Sequence, residues 1–191
     1  CRLDCCRLNL VSLPTQPQRV SPMKLLKSLL GIILGFSLIA GCAHRAPTFE
    51  PLPFDEAEYA ALPKTGTGVI QGQVFGKTMG GDVKKGAGNN VILIPATKYG
   101  TQRYKMQVIG NQLLSKPEDP RYKKYVLQQI TDSDGKFSFK NVPPGKYYAV
   151  SHLTWEAPSS NRYLITETQG GKLYKEVEVM DGQTVDVMLT F

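Results

Sequence analysis

From residue 68 onward the chain alternates. Gly68 to Phe75 sets Ile70, Gly72 and Val74 on one side, Phe137 and Phe139 face away from Ser138 and Lys140, and Val185, Val187, Leu189 and Phe191 share a face at the end of the chain. A period of two marks a strand with one buried face. Val91 to Ala96 (VILIPA) is apolar at successive positions, as expected of a central strand, with Pro95 at its end or at a bulge. Tyr125 to Thr131 and Lys146 to Trp155 add two more strands, and Arg162 to Thr168 and Lys172 to Val179 flank Gly170-Gly171, which reads as a hairpin turn. The pattern predicts an all-β fold of seven or eight short strands, the number expected of a β-sandwich. Lys98 to Tyr125 breaks the rhythm. Met106, Ile109 and Leu113 have the spacing of one helical face, and Pro117 and Pro120 end it, so a short helix or irregular crossover is expected at about 100–122.

Turn chemistry separates these segments. In Thr131 to Val150 (TDSDGKFSFKNVPPGKYYAV), Asp132, Asp134 and Gly135 form one turn and Pro143-Pro144-Gly145 another. The paired aspartates invite a calcium reading, yet a calcium loop of that kind needs Gly at its sixth position and Glu at its twelfth, and Gly135 stands at the fourth. The glycine-dense stretch from Gly76 to Gly88 leads into a strand, whereas a phosphate cradle leads into a helix N-terminus.

The first part of the chain follows different rules. Residues 1–22 show no periodicity and read as upstream of a true start at Met23. Lys24 and Lys27 then precede an apolar run, Leu29 to Ile39, that has the length of a secretory segment and is short for a membrane span. Ile39, Ala40 and Gly41 lead to Cys42, small residues before a nucleophilic thiol. The arrangement resembles the lipobox of bacterial lipoproteins. The resemblance implies a signal peptide at 23–41, peptidase recognition through Ile39, Ala40 and Gly41, and acylation (palmitate among the chains) at Cys42. Ala43, in place of an aspartate, implies the outer membrane of the cell envelope, on its periplasmic or surface side. Residues 42–67, with Pro47, Pro51, Pro53 and Pro63, read as an extended tether, with at most one helical turn in PFDEAEYAAL. Such a tether would span roughly 80 Å. The globular domain is then 68–191.

The run from Thr131 to Val150 resembles the signature of carboxypeptidase regulatory-like domains, transthyretin-like or Ig-like β-sandwiches in which an Asp-x-x-Gly turn, an aromatic strand and a Pro-Gly-x-Tyr turn recur. The resemblance covers Gly68 to Phe191. It implies the fold and an accessory role, and says little about a ligand.

Charge and candidate chemistry narrow the function classes. The first 41 residues carry five Lys or Arg and one Asp, so the formal +7 of the chain becomes +3 after processing. That mild excess, in an extracytoplasmic protein, does not point to nucleic acid. Of Cys1, Cys5, Cys6 and Cys42, only Cys42 would remain, so no disulfide is expected. His44 and His152 are too few for a catalytic zinc site, no Gly-x-Ser-x-Gly elbow occurs, and no cofactor is called for. The reading is a non-enzymatic lipoprotein, anchored to the membrane, whose sandwich binds an envelope protein or serves structurally. The alternative is a module for carbohydrate or envelope polymer, with an unrecognised enzyme third. Two surfaces are candidates. One is Lys98 to Tyr125, net +5, where Tyr99, Arg103, Tyr104, Arg121 and Tyr122 interleave charge and ring. The other is Trp155, at a strand end beside Pro158, able to stack on a sugar or to plug the sandwich.

Overall fold

Ala46–Phe191 forms one compact unit. The structure, a computed structural model, describes residues 46–159 and 165–191. The start at Met23, the signal segment, Ile39, Ala40, Gly41 and Cys42, and the first residues of the strand expected at Arg162, lie outside the described residues.

Ten strands are formed among the described residues: β1 (Thr48–Phe49), β2 (Gly68–Lys77), β3 (Val83–Lys85), β4 (Asn90–Pro95), β5 (Leu113–Leu114), β6 (Leu127–Ile130), β7 (Lys136–Val142), β8 (Gly145–Pro158), β9 (Thr166–Val179) and β10 (Thr184–Leu189). Eight of them make an all-β sandwich. One sheet has the order β10-β2-β7, with β3 pairing the far end of β2; the other has the order β6-β4-β8-β9. The inward positions are those the alternation marked: Ile70, Val74, Phe137, Phe139, Val187 and Leu189 from the first sheet meet Val91, Leu93, Ala149, Leu153, Leu173 and Val177 from the second.

β2 and β10 lie side by side and parallel, Gln71 opposite Asp186 and Gly72 opposite Val187. The approach is close enough that a Cβ on Gly72 would stand 1.7 Å from the Val187 carbonyl oxygen. Only glycine fits there. The two predicted turns also form. Asp132 Oδ1 accepts from the backbone N–H of Asp134 at 2.9 Å and of Lys136 at 2.8 Å, and the Tyr147 hydroxyl donates to the Pro143 carbonyl at 2.9 Å.

Gly170-Gly171 is not a turn. Both residues lie inside β9, which pairs β8 without a break from Val179 to Thr166. A Cβ on Gly170, whose φ is +103°, would come within 2.1 Å of the Leu153 carbonyl oxygen. The glycine pair lets one long strand pass close to its neighbour, a role that shares its sequence signature with a hairpin.

A third layer covers the outer face of the second sheet. It contains α1 (Glu56–Ala60), α2 (Lys98–Arg103), a π-helical continuation (Tyr104–Ile109) and a 3₁₀ turn (Pro120–Tyr125). Thr97 caps α2, its hydroxyl accepting from the Gly100 N–H at 3.0 Å. Tyr59, Tyr99, Tyr104, Tyr122, Ile94, Tyr148 and Val150 form a second buried cluster, with Phe54, Ile92, Val108 and Tyr125 against it. Two covered faces explain why VILIPA is apolar throughout: Val91 and Leu93 point into the sandwich, Ile92 and Ile94 under the crossover.

Residues 47–67 pack onto the domain, Phe54, Tyr59 and Leu62 within this layer, which corrects the expectation of an extended spacer. β1 pairs parallel with β5, and Phe49 is buried. Tyr59 is 1% exposed and stacks on Phe54 with centroids 4.6 Å apart. Asp55 caps α1, and Thr67 donates its backbone N–H to Asp181 at 3.0 Å. The prolines set kinks in a packed strap, and its aromatic side chains supply the burial that holds it. Leu113, placed by its spacing on a helical face, instead sits in β5 and is 57% exposed.

Candidate functional site

The expected tyrosine surface is not a surface. Tyr99, Tyr104 and Tyr122 are 2%, 3% and 4% exposed. Tyr104 stacks face to face on Tyr148 at 3.9 Å, and Tyr99 meets Tyr122 edge-on at 5.1 Å. Their apolar rings compose the second core, which single-sequence reading could not separate from an exposed patch because tyrosine suits both. Burial pushes the hydroxyl pKa of Tyr59 and Tyr104 up to about 12, and that of Tyr122 further up.

Arg121 is exposed yet committed. Its Nε and Nη2 donate to the two oxygens of Asp119 at 3.0 and 2.8 Å, Nη1 donates to Glu56 at 2.8 Å, and the guanidinium lies 4.8 Å from the Phe54 ring centroid. This fork pins α1 to the crossover and holds the Asp119 carboxyl down to about 2. Trp155 is half-buried, packs against the main core and meets Phe191 edge-on at 6.0 Å. It closes one end of the sandwich.

Arg103 does enter a pocket. The cavity, about 340 Å³, lies between the outer face of the second sheet and the crossover. Ile92, Ile94, Val108 and Val126 give it aliphatic walls, and Arg103, Gln107, Glu118, Tyr122, Lys123 and Gln128 bring polar groups. β4 contributes Ile92 and Ile94 because its outward side chains are apolar, and neighbouring β6 contributes Gln128, which stands opposite Ile92. The Arg103 guanidinium lies 4.9 Å from the Tyr122 ring centroid. Its Nη1 is 2.8 Å from Glu118 Oε2, side chains 13% and 27% exposed, and Lys123 approaches the other Glu118 oxygen at 3.9 Å.

Neither Arg103 Nη1 nor the Tyr122 hydroxyl has an aligned hydrogen-bond partner among the described residues, a condition shared by Glu58 Oε2 and Trp155 Nε1. A buried ion pair is costly unless its hydrogen bonds are completed, and groups kept so beside a cavity mark a candidate binding site. Sequence reading selected Arg103 and Tyr122 but missed Glu118, Gln107 and Gln128. A signal existed for Gln128 alone, as a polar side chain at an outward strand position next to a basic segment.

A second, wider cleft of about 590 Å³ runs over the first sheet. Register lays two rows across β10, β2 and β7: Asp186, Gln71 and Ser138, then Met188, Gln73 and Lys136. Gln71 donates to Asp186 at 3.0 Å and Gln73 to the Asp134 carbonyl at 2.7 Å, so the floor is already bonded within itself. No group of three or more His, Cys, Asp or Glu able to hold a metal occurs among the described residues.

Comparison with known proteins adds a relative. A crystal structure of a "putative carbohydrate binding protein" from Pseudomonas aeruginosa superposes with a TM-score of 0.64, at 36% identity, over 73% of this chain and 99% of that one. A minor pilin of Streptococcus agalactiae is 16% identical over 68% of this chain and 44% of that one, with a TM-score of 0.34. No protein-family model and no curated protein matches.

Proposed function

Since the chain belongs to the family of that Pseudomonas aeruginosa protein, we propose that its β-sandwich is a non-catalytic carbohydrate-binding module, carried on the cell envelope by a lipid at Cys42. The observation that carries the reading is the lining of the crossover pocket. Sugars present hydroxyls around a ring whose faces are C–H surface. Their recognition therefore calls for planar polar groups set against apolar walls. Arg103, Glu118, Gln107 and Gln128 supply guanidinium, carboxylate and two amides over Ile92, Val108 and Val126. Of the two readings drawn from sequence, this geometry favours the glycan over the protein partner. The tyrosine-rich segment that sequence offered as a protein-binding face has no exposed aromatic anchor to present, since Tyr99, Tyr104 and Tyr122 are buried in the second core.

The carboxypeptidase regulatory-like resemblance agrees with such an accessory role, and the lipobox resemblance supports the anchor. Calorimetric titration of the folded domain against soluble envelope polysaccharides and their oligosaccharides tests the assignment. Saturable binding to at least one of them, weakened about tenfold in Gln128→Ala, is expected from the loss of one or two hydrogen bonds to a ligand. Binding unchanged by Gln107→Ala and Gln128→Ala would move the site elsewhere, and no binding to any polysaccharide would reject the function.

A further inference from the structure

The packing of residues 47–67 changes where a lipid at Cys42 would hold the domain. Only Ala43, His44 and Arg45 separate Cys42 from Ala46. Four Cα–Cα steps of about 3.8 Å limit the reach to about 15 Å, whatever path the chain takes. Thr48 and Phe49 are already paired in the domain. A spacer of the length expected from the prolines does not exist.

Apolar side chains stand exposed on the elements around this attachment point. The Leu113 N–H donates to the Pro47 carbonyl and the Ser115 N–H to the Phe49 carbonyl, both at 2.9 Å, which seats β5 beside the first residues of the strap. On its other side the strap is held by Gln102, which accepts from the Leu52 N–H at 2.8 Å and donates to the Glu50 carbonyl at 3.1 Å. Along these elements Leu113, Ile109 and Leu52 are 57%, 50% and 44% exposed. Lys105 is exposed in the π-helical segment that ends at Ile109, and Lys116, 66% exposed, pairs with Glu50, 67% exposed, on the strap. Apolar side chains flanked by lysine ammonium groups suit the boundary between acyl chains and headgroups.

We propose that Leu52, Ile109 and Leu113 form a membrane-contact face, on which the domain lies against the bilayer that holds its anchor. The occupant is a lipid surface because the acylated residue is within about 15 Å of the domain's first residue, and a bilayer is the one apolar partner whose position that anchor determines. The inference rests on lipidation of Cys42. It orients the molecule, with the sheet carrying Met188 on the side away from the crossover layer.

The test uses the full-length lipoprotein in membranes. Residues 43–191 contain no cysteine, and acylation consumes the Cys42 thiol, so Leu113→Cys or Met188→Cys gives one free thiol. Each is labelled with a small fluorophore and reconstituted in vesicles with nitroxide-bearing lipids. Quenching at position 113 roughly threefold stronger than at 188 is the expected result, since an interfacial contact buries side chains about 5–10 Å into the boundary. Equal quenching in a membrane-bound protein overturns the inference and leaves the anchor standing. Shielding of 113 from an aqueous quencher without lipid quenching assigns the face to a protein and also overturns it. A full-length protein recovered in the soluble fraction rejects the anchor, and the inference with it.

Discussion

Replacing Tyr59 by Ala tests whether the proline-rich strap belongs to the folded domain. Tyr59 is 1% exposed and touches Phe54, Tyr122 and Tyr125 through ring contacts of 4.6, 6.3 and 4.6 Å. Its hydroxyl accepts from Thr97 at 2.7 Å. Truncating a buried aromatic ring to Ala costs about 3–5 kcal/mol, the lost transfer of the ring plus the cavity left among its neighbours. In a domain of this size each kcal/mol moves the midpoint by about 2–4 °C, so Tm falls by about 6–20 °C. Tyr59→Phe keeps the ring and removes one buried acceptor, at a cost of about 1 kcal/mol. Thermal unfolding of the domain followed by circular dichroism, with urea titration for the free energies, reads both. A residue in an extended spacer would change stability by less than about 0.5 kcal/mol. A Tyr59→Ala midpoint within about 2 °C of wild type would therefore refute the packed strap, and with it the short distance to the membrane.

Three further outcomes follow from other parts of the fold. Gly72→Ala places a Cβ 1.7 Å from the Val187 carbonyl, and separating β2 from β10 costs about 3 kcal/mol or more; an unchanged urea midpoint would contradict the parallel pairing. Burial raises the hydroxyl pKa of Tyr59 and Tyr104 to about 12 and that of Tyr122 further. The folded state therefore keeps protons that the unfolded chain releases near pH 10. The resulting stability is fully present below about pH 10 and is lost as the pH rises through about 12. Alkaline unfolding should coincide with tyrosinate absorbance for those residues, and gradual ionisation without unfolding would count against their burial. Cys42→Ser should release the protein from membranes on fractionation, and continued sedimentation with the membrane would refute the lipid anchor.

Much of the sandwich is legible because strand burial writes itself with period two. Ile70 and Val74, Phe137 and Phe139, and Val187 and Leu189 need no tertiary information to be placed inward. β4 is legible for the opposite reason, since apolar residues on both sides require two covered faces. What covers its outer face is not legible. Tyr59 and Tyr122 meet across 63 positions of sequence, and local periodicity, which offered short helical turns in both segments, does not say that they pack together. Proline signals a restricted chain without distinguishing a spacer from a strap; burial of Phe49, Tyr59 and Phe54 decides it. Gly170-Gly171 shows the same ambiguity, because glycine serves turns and close strand crossings equally.

Of the candidate site, Arg103 and Tyr122 were visible as a charge next to a ring. Arg121, of the same composition, turned out to be held by Asp119 and Glu56 in the clamp that closes the layer. The other polar groups of the pocket, Gln107 from the π-helical segment, Glu118 from the loop after β5 and Gln128 from β6, are far apart in the pattern and meet only once the third layer is in place.

The central claim is that a sugar occupies the cavity between the crossover and the second sheet. Nuclear magnetic resonance titration of the isotope-labelled domain with a binding oligosaccharide tests it most directly, because every backbone amide reports its own surroundings. The account predicts shifts concentrated on Ile92, Arg103, Gln107, Lys123 and Gln128, with Gln71, Gln73, Ser138 and Asp186 unmoved. Shifts confined to the cleft over the first sheet would contradict it.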